Sequence, residues 1–317
     1  MRHFAAILLM LLFSIDASAA SRGALITEAA IPGATLRIEV LPPIDDQKAA
    51  ELVTWLQSVS GNVRLAYGRF PSKSPRIVVI PAEGRAWGGD SPVPFGRLTR
   101  RGEDKIELYV NTDRPIEDFY GDWTATHEFS HLMLPYVGDR YRWISEGFAS
   151  YYQNILMARA GQYSAELAWQ KLYSGLERGR ASRPELTLNE AATAGVRRAR
   201  MKIYWSGAAI ALLADVALRE RTDGRESLDT ALDRLERCCL SSRRTWSGPE
   251  LFAQLDALVD EEVFVPLYNR YANQRGFPDV YPTLRRLGIG TAGDRVSLRN
   301  TAELAEIREA ITARREL

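Results

Sequence analysis

The chain has 317 residues, of which 46% are hydrophobic and 26% are charged, and its formal net charge is +1. This composition is typical of a folded globular protein and excludes a disordered chain, and the length allows one large domain or two smaller ones. A net charge so close to zero gives no electrostatic basis for nucleic acid or an anionic membrane as a partner.

The first twenty residues have the three parts of a secretory signal peptide. Arg2 supplies the positive start, an apolar run follows from Phe4 to Ile15, and small residues at 17–19 provide a cleavage site. The apolar run has about 12 residues, whereas about 20 are needed to cross a bilayer. Residues 1–19 are therefore predicted to be a signal peptide. The mature protein is expected to be exported, periplasmic or extracellular, without stable membrane insertion.

Residues 20–117 are predicted to form a small mixed α/β lobe. The stretch ATLRIEVLP alternates like a strand, and PRIVVIPA is typical of a short buried strand. Between them, DDQKAAELVTWLQSVSGNVRLAYG has an Asp at the N-cap position and apolar residues three and four apart, which predicts a helix. The stretch FGRLTRRGEDKIELYVNTD predicts two strands around a turn at residues 101–104.

Residues 118–290 are predicted to form a larger, mostly helical lobe, followed by a tail or peripheral helix at 291–317. No period of 20 to 50 residues repeats, so a solenoid is not expected. The two lobes together predict an α+β fold. The helical segments are FYGDWTATHEFSHLML, WISEGFASYYQNILMARAG, SAELAWQKLYSGLERG, IYWSGAAIALLADVALRER, SLDTALDRLERCCL, SGPELFAQLDALV, EVFVPLYNRYANQRG and YPTLRRLGIG.

Two further features are predicted to be structural rather than functional. The arginine-rich runs GRLTRRGEDK and VRRARMK are broken by acidic residues or turns, which favours solvated surface. The two cysteines, Cys238 and Cys239, are adjacent and do not form the spaced pairs of a disulfide framework. They are interpreted as small half-buried residues or a vicinal disulfide without a catalytic role.

The stretch HEFSH carries the candidate metal site. The chain has three histidines, and His3 lies in the predicted leader, so the mature protein would keep only His127 and His131. Positions four apart lie on one face of a helix, so both imidazoles can offer a nitrogen to one ion. Glu128 flanks that ion and can reach a water there, as the glutamate of H-E-x-x-H does.

A third ligand is predicted at Glu146, at the start of the next apolar-periodic helix in RWISEGFASYY. Pro135 and Gly138 in the connection suit a turn that brings the two helices together. Two neutral histidines and one carboxylate leave a fourth position open, which is the catalytic rather than the structural arrangement of Zn²⁺. The alternative is a chance H-E-x-x-H on an ordinary helix in a zinc-free exported binding domain.

The stretches HEFSH and WISEGFASYY resemble the gluzincin metallopeptidases, the group that contains thermolysin and aminopeptidase N. IYWSGAAIALLADVALRE is similar to a helix of the aminopeptidase N and glycyl aminopeptidase branches, which begins Y-x-K-G. The resemblance implies a thermolysin-like catalytic domain with zinc between its two lobes. It also implies that Tyr204, at the tyrosine position, stabilises the transition state.

The chain departs from these families at three positions. Ser206 stands where Y-x-K-G has lysine, and Ser150 stands where thermolysin relatives have an aspartate that supports the site. The aminopeptidases grip the substrate's free amine with a glutamate in a glycine-rich segment. Here the only such segment, WGGDSPVPFGR, has no glutamate. This departure puts trimming from a free N-terminus in doubt, and the sequence leaves the choice between endopeptidase and aminopeptidase open.

The sequence predicts an exported zinc peptidase with a peptide or protein as its substrate. Glu128 would take the proton from the attacking water as general base, and Tyr204 would donate to the developing oxyanion. The substrate is expected to add to an edge strand, with DKIELYV as the candidate strand. The alternative is a catalytically inactive binding or scaffold protein of the cell envelope that keeps the zinc fold, although an intact Glu128 argues against it.

Overall fold

The computed structural model describes residues 23–82, 90–100, 102–240, 244–292 and 295–316. The predicted signal peptide lies outside the described residues, as does much of the glycine-rich segment at 83–89. The described chain forms an N-terminal sheet lobe followed by a helical lobe, so the α+β prediction is confirmed.

A five-stranded sheet forms the N-terminal lobe. Its central strands β2, β3 and β5 are parallel, and the antiparallel strands β1 and β4 form the two edges, in the order β1-β2-β3-β5-β4. The central strands bury Val, Ile and Leu side chains, and in β2 these alternate with partly exposed residues, as in a strand with one buried face. The strands are β1 (Leu25–Ile31), β2 (Ala34–Val40), β3 (Arg76–Pro81), β4 (Phe95–Thr99) and β5 (Lys105–Val110).

The helix α1 (Asp46–Arg64) is the crossover between the parallel strands β2 and β3. The predicted cap is present, because the Asp45 side chain accepts a hydrogen bond of 2.8 Å from the Lys48 backbone N–H. Its apolar face is buried, and the indole of Trp55 donates 3.0 Å to the Phe119 carbonyl. This bond ties the sheet lobe to the first turn of the helical lobe.

The helical lobe has a helix in each segment predicted to be helical, but the segment FYGDWTATHEFSHLML, predicted as one helix, is divided into α2, α3 and a 3₁₀ turn. It also contains a short helix, α6, and a β-hairpin, β6–β7, that were not predicted. Two 3₁₀ turns, His131–Met133 and Asp139–Tyr141, lie between α3 and α4. The elements are α2 (Ile116–Tyr120), α3 (Thr124–Ser130), α4 (Arg142–Arg159), α5 (Ala165–Arg180), α6 (Leu188–Ala194), α7 (Val196–Arg221), α8 (Leu228–Cys239), α9 (Gly248–Val259), α10 (Phe264–Tyr271), α11 (Tyr281–Arg286), β6 (Ile289–Ala292), β7 (Arg295–Leu298) and α12 (Ala305–Thr312).

The helices α4 and α7 meet backbone to backbone at two glycines. A Cβ atom on Gly147 would lie 2.2 Å from the Gly207 Cα, and one on Gly207 would lie 2.0 Å from the Trp143 carbonyl oxygen. Only residues without a side chain permit this approach. The crossing places Glu146, beside Gly147, close to Tyr204, one turn before Gly207.

The aspartate that interrupts the apolar run of α7 is part of a buried polar cluster. Asp215 accepts from the Tyr151 hydroxyl at 2.7 Å and from Arg219 at 2.9 Å. Next to it, Asp229 on α8 pairs with the buried Arg159 at 2.9 Å. The buried charges are thus paired, which is what their burial requires.

Among the described helices, one segment, Arg197–Arg221 of α7, is long and apolar enough to cross a membrane by length and composition. Its mean hydropathy reaches 1.4, but 78% of that window is buried inside the protein. Such burial is expected of the central helix of a packed domain.

Part of the second arginine-rich run is not solvated, contrary to the prediction. Lys202 is buried and donates 2.5 Å to the Gly276 carbonyl, which anchors α7 to the loop before α11. The aliphatic stem of lysine makes such burial tolerable when the ammonium finds an acceptor. The cysteines Cys238 and Cys239 form a vicinal disulfide at the end of α8, one of the two interpretations left open by the sequence.

Candidate metal centre

The three predicted ligands converge at the junction of α3 and α4. The Glu146 Oε2 atom lies 3.4 Å from the His127 Nε2 atom and 3.5 Å from the His131 Nε2 atom. The sequence predicts that His127 and His131 share one α-helix, but α3 ends at Ser130 and His131 begins a 3₁₀ turn. The tighter turn still keeps the two imidazoles adjacent, with ring centroids 4.8 Å apart.

The donor atoms suit a zinc ion. Ligands about 2.0–2.1 Å from a tetrahedral zinc lie about 3.3–3.4 Å from one another, close to the separations seen here. The Nδ1 atom of His127 lies 2.7 Å from the Gln153 Oε1 atom, and that of His131 lies 2.9 Å from the Ser145 Oγ atom. An amide oxygen can only accept, so His127 donates through Nδ1 and keeps the Nε2 lone pair for a metal.

The charges of the three groups also fit a metal site. Burial alone would raise the pKa of Glu146, but the two neighbouring imidazoles hold this pKa well below its usual range. Glu146 is therefore ionised, and its carboxylate faces the Nε2 atoms of both rings. An anionic carboxylate facing two imidazole nitrogens is a donor set that Zn²⁺ prefers.

Glu128 lies beside the ligands and is positioned by the edge strand β4. Its carboxylate belongs to a cluster with the two histidines whose donor atoms all lie within 4.8 Å of one another. A Cβ atom on Gly96 would lie 2.5 Å from the Glu128 Cγ atom, so only glycine leaves room for this side chain. Burial raises the pKa of Glu128, while a hydrogen bond from the Leu98 backbone N–H acts in the opposite direction.

Tyr204 on α7 covers the other side of the candidate centre. Its ring stacks on the imidazole of His127, with centroids 5.6 Å apart and an interplanar angle of 4°. Burial, and then the negative charges of Glu146 and Glu128, raise the pKa of its hydroxyl far above the usual value. The hydroxyl therefore keeps its proton and is a hydrogen-bond donor, at present to Glu146.

Arg100 links the end of β4 to the metal-binding turn. Its guanidinium donates 2.5 Å to the His131 carbonyl and 2.5 Å to the Leu134 carbonyl. A cation is favourable at these orphan carbonyls, where the helical segment ends. The prediction that GRLTRRGEDK is solvated surface is therefore wrong for Arg100, because the preceding strand directs this side chain towards α3.

A cavity of about 590 Å³ opens over the candidate centre. The strand β4 forms one part of its lining, and the connection that leads from α3 to α4 forms another. Glu128, His131, Glu146 and Tyr204 all line it, so four of the five predicted site residues share one accessible space, and His127 lies behind them. A cleft of this volume is within the usual size of ligand sites.

The strand chosen from the sequence for substrate addition is wrong. The stretch DKIELYV forms β5, which pairs with β3 on one side and with β4 on the other. Its backbone is therefore already bonded on both sides and cannot accept a further strand. The edge beside the centre is β4, Phe95–Thr99, the first half of the same predicted hairpin.

Several supporting residues were not foreseen. The position that holds aspartate in thermolysin relatives is Ser150, whose Oγ atom is buried without a hydrogen-bond partner among the described residues. Gln153 supports His127 instead, two turns of α4 after Glu146. That spacing was a usable signal, because residues seven apart share a helix face. Ser206, at the lysine position, is likewise buried and unbonded in the described structure.

We expect Glu146→Ala to lose most of the bound zinc, because two imidazoles alone leave the ion without its anionic ligand. Gln153→Ala keeps all three ligands and should weaken zinc binding about 10–100-fold, the usual cost of removing such a support. Metal content after dialysis against a chelator series measures both effects. Glu303→Ala, an exposed carboxylate, is the control. Full zinc occupancy in Glu146→Ala would remove that residue from the ligand set.

Comparison with known proteins identifies a family for part of this region. Residues 136–210 match the model of the M61 glycyl aminopeptidase family. The matched region holds Glu146 and Tyr204, whereas the two histidines and Glu128 lie just before it. No curated protein sequence matches the chain.

Several solved structures share the fold. An aminopeptidase N family protein from Idiomarina loihiensis aligns with a TM-score of 0.61 at 16% identity, covering 84% of this chain and 49% of that one. An M1 zinc metallopeptidase from Deinococcus radiodurans aligns with a TM-score of 0.53 at 14% identity, covering 81% and 53%. Yeast LTA4 hydrolase in complex with bestatin gives 0.53 at 13% identity, covering 80% and 40%. The chain thus spans about half the length of the structures it matches, or less.

These findings confirm the resemblance drawn from the motifs. The chain has a region similar to the M61 glycyl aminopeptidases and the fold of the M1 structures, with an intact His-Glu-His group. The predicted α+β fold is confirmed, because these structures share it, whereas the zinc peptidase activity stays a prediction. The His-Glu-His group together with Glu146 offers donors that suit Zn²⁺, so zinc stays the metal predicted for the centre.

Proposed function

We propose that this chain, with its match to the glycyl aminopeptidases, is an exported zinc peptidase that hydrolyses peptide bonds. The observation that carries the proposal is that His131, two carboxylates and a protonated tyrosine line one open cavity, with the imidazole of His127 directly behind, 3.4 Å from Glu146. A structure of the similar Deinococcus radiodurans enzyme is described as bound to a Tyr-Ser-Ala substrate, which supports a peptide as the substrate class.

The metal would be held by His127, His131 and Glu146, with Gln153 and Ser145 fixing the two rings. When bound, zinc supplies Lewis-acid activation of the scissile carbonyl and lowers the pKa of a water. The remaining steps are proton transfers and hydrogen bonds made by side chains of this chain.

Glu128 takes the proton of the attacking water on its carboxylate and delivers it to the nitrogen of the leaving amine. Burial raises the pKa of this carboxyl, which makes the carboxylate a better proton acceptor than one in water. Gly96 and the Leu98 backbone N–H hold it at the cavity wall, so it needs little reorganisation during the reaction.

Tyr204 stands on the opposite side and donates its hydroxyl hydrogen to the oxyanion that forms from the scissile carbonyl. The hydroxyl retains its proton because burial and nearby carboxylates raise its pKa. The ring is held by stacking on His127 and by the close crossing of α4 and α7. A donor fixed before the charge develops stabilises the transition state more than the substrate.

Tyr204→Phe should lower kcat by about 10²–10³, the usual cost of losing one such donor, with little change in substrate binding. Phenylalanine keeps the ring that stacks on His127, so zinc content and thermal stability should stay near those of the parent. Steady-state kinetics and a melting curve on the same preparation test this. A shifted melting temperature with an unchanged kcat would assign Tyr204 a packing role instead.

Peptides with blocked N-termini should be cleaved at least as well as peptides with free ones. Two glutamates in or after the turn that leaves the edge strand could in principle grip a free amine, but both are engaged elsewhere. Glu103 pairs with Arg37 and Arg76, and Glu107 pairs with Arg97 and Lys105. Neither carboxylate lines the cavity.

The test of the proposed function is zinc stoichiometry combined with cleavage of a peptide library in free and N-acetylated forms. Cleavage of both forms, lost on chelation and restored by zinc, is the expected result. Strict dependence on a free amine would show an aminopeptidase with a different anchor. One zinc per chain without cleavage of any peptide would favour the alternative, a binding or scaffold protein that keeps the zinc fold.

The exported location is supported by the signal-like composition of residues 1–19. Expression in a bacterial host followed by fractionation and N-terminal sequencing tests it. A mature N-terminus at residue 20 in the periplasmic fraction is expected. An uncleaved protein in the cytoplasmic fraction would contradict the proposal.

A further inference from the structure

Exposed apolar side chains gather at the cleft. Within the described part of the chain, the large hydrophobic residues with substantial exposure are few, and two of them, Phe95 and Tyr136, line the cavity over the candidate centre. Tyr136 is 47% exposed and Phe95 is 38% exposed. Apolar surface next to a reactive site indicates a binding role more often than scattered surface residues do. The whole set is Leu25, Ile26, Phe95, Trp123, Tyr136 and Leu167.

The two side chains reach the cavity from different segments of its lining. Phe95 belongs to the edge strand β4, where its ring packs on Tyr109 at a centroid distance of 5.5 Å. Tyr136 belongs to the connection between α3 and α4, and Pro135 and Val137 beside it add further apolar lining. A side chain that enters the cavity therefore meets apolar surface from both segments.

The segment that carries Tyr136 is fixed at both ends. The Trp246 backbone N–H donates 2.9 Å to the Tyr136 carbonyl, and the Gly138 N–H donates 3.1 Å to the Trp246 carbonyl. At the other end, Arg100 holds the Leu134 carbonyl at 2.5 Å. Because these bonds already order the backbone, a ligand loses no binding free energy in ordering it.

Three arginines line the cavity, and each already has a partner within the protein. Arg97 on β4 pairs with Glu107, and Arg142 pairs with Asp139 at 2.5 Å. Arg100 donates to backbone carbonyls. An anionic ligand side chain therefore meets no isolated positive charge in these three arginines, so apolar contact with Tyr136 and Phe95 is the source of selectivity considered next.

We propose that Tyr136 and Phe95 form a subsite that takes a large apolar side chain, aromatic or branched aliphatic, of a peptide residue next to the scissile bond. The inference rests on the proposed function, since it names the substrate class of that same cleft. Selectivity comes from burying the side chain against the two segments.

Direct binding tests the subsite apart from catalysis. N-acetylated peptides that carry Phe, Leu or Ala at one varied position are titrated calorimetrically against the full chain with Glu128→Gln, which should bind without cleaving. The Phe and Leu peptides should bind about 10-fold or more tightly than the Ala peptide. Tyr136→Ser in the same background should remove most of that difference, and Tyr136→Phe, which keeps the ring, should retain it.

Phe95→Ala probes the β4 side of the subsite and should also reduce the preference for the Phe and Leu peptides over the Ala peptide. This second variant still tests the subsite if Tyr136→Ser does not fold. Leu167→Ser, an exposed leucine on α5 away from the cavity, is the matched control and should leave it unchanged. Equal affinity for the Phe and Ala peptides, or an undiminished preference in both cavity variants, overturns the subsite. Preferential binding of the apolar peptides by a parent protein that cleaves none would leave the subsite standing and reject the peptidase proposal.

Discussion

Glu128→Gln is expected to abolish peptide hydrolysis while leaving the fold and the metal site in place. Glutamine has the shape of glutamate and keeps a carbonyl oxygen that can accept from the Leu98 backbone N–H. Its amide cannot take a proton from water at neutral pH, so the general-base step is lost. A positioned general base accelerates a reaction by about 10²–10⁴-fold, so kcat should fall by about 10²-fold or more.

Cleavage of a blocked fluorogenic peptide measures this loss, and zinc content and a melting curve on the same protein verify that the site is intact. Glu39→Gln is a matched control, because Glu39 is a partly exposed carboxylate paired with Arg76 on the far part of the sheet. Turnover by Glu128→Gln within a few-fold of the parent would place the base at another residue.

Gly207→Ala should cause the largest loss of stability of any single methyl addition in α7. The new Cβ atom would lie 2.0 Å from the Trp143 carbonyl oxygen and 2.6 Å from the Gly147 Cα atom, and both are backbone atoms that cannot rotate away. The two helices must therefore separate, and the free energy of unfolding should fall by about 3 kcal/mol or more. Activity should fall as well, because Glu146 and Tyr204 flank the crossing.

Denaturant unfolding followed by circular dichroism measures the change. Gly61→Ala is the matched control, because Gly61 lies inside the helix α1 with no atom within 4 Å of the added methyl group. That substitution should raise the free energy of unfolding by about 0.5–1 kcal/mol, the ordinary gain from alanine in a helix. Equal stability of the two variants would show that α4 and α7 do not meet as closely as described.

The metal ligands were accessible to sequence reasoning because their spacing is local. The spacing of four places His127 and His131 side by side, and Glu146 opens the next periodic segment after a short connection, so all three donors could be found from local patterns. The caps of α1 and the central strands were predictable for the same reason. Each depends on residues within a few positions of one another.

The supports of Glu128 were not accessible, because they come from a different lobe. Gly96, Leu98 and Arg100 meet α3 only after the strand order of the sheet is known. The sequence predicts two strands around residues 101–104 but does not say which of them is the edge. Because of that ambiguity, β5 was wrongly chosen as the strand to which substrate adds, and the side chain of Arg100 was wrongly predicted to lie in solvent.

The distribution of the centre along the chain has a consequence for the order of assembly. All three metal ligands and their supports Ser145 and Gln153 lie in one continuous segment from His127 to Gln153. Closing such a short loop costs little chain entropy. The edge strand and Tyr204 must instead arrive from distant parts of the sequence. A nascent chain can therefore gather a metal-binding nucleus early, and it becomes reactive only when β4 and α7 have docked against it.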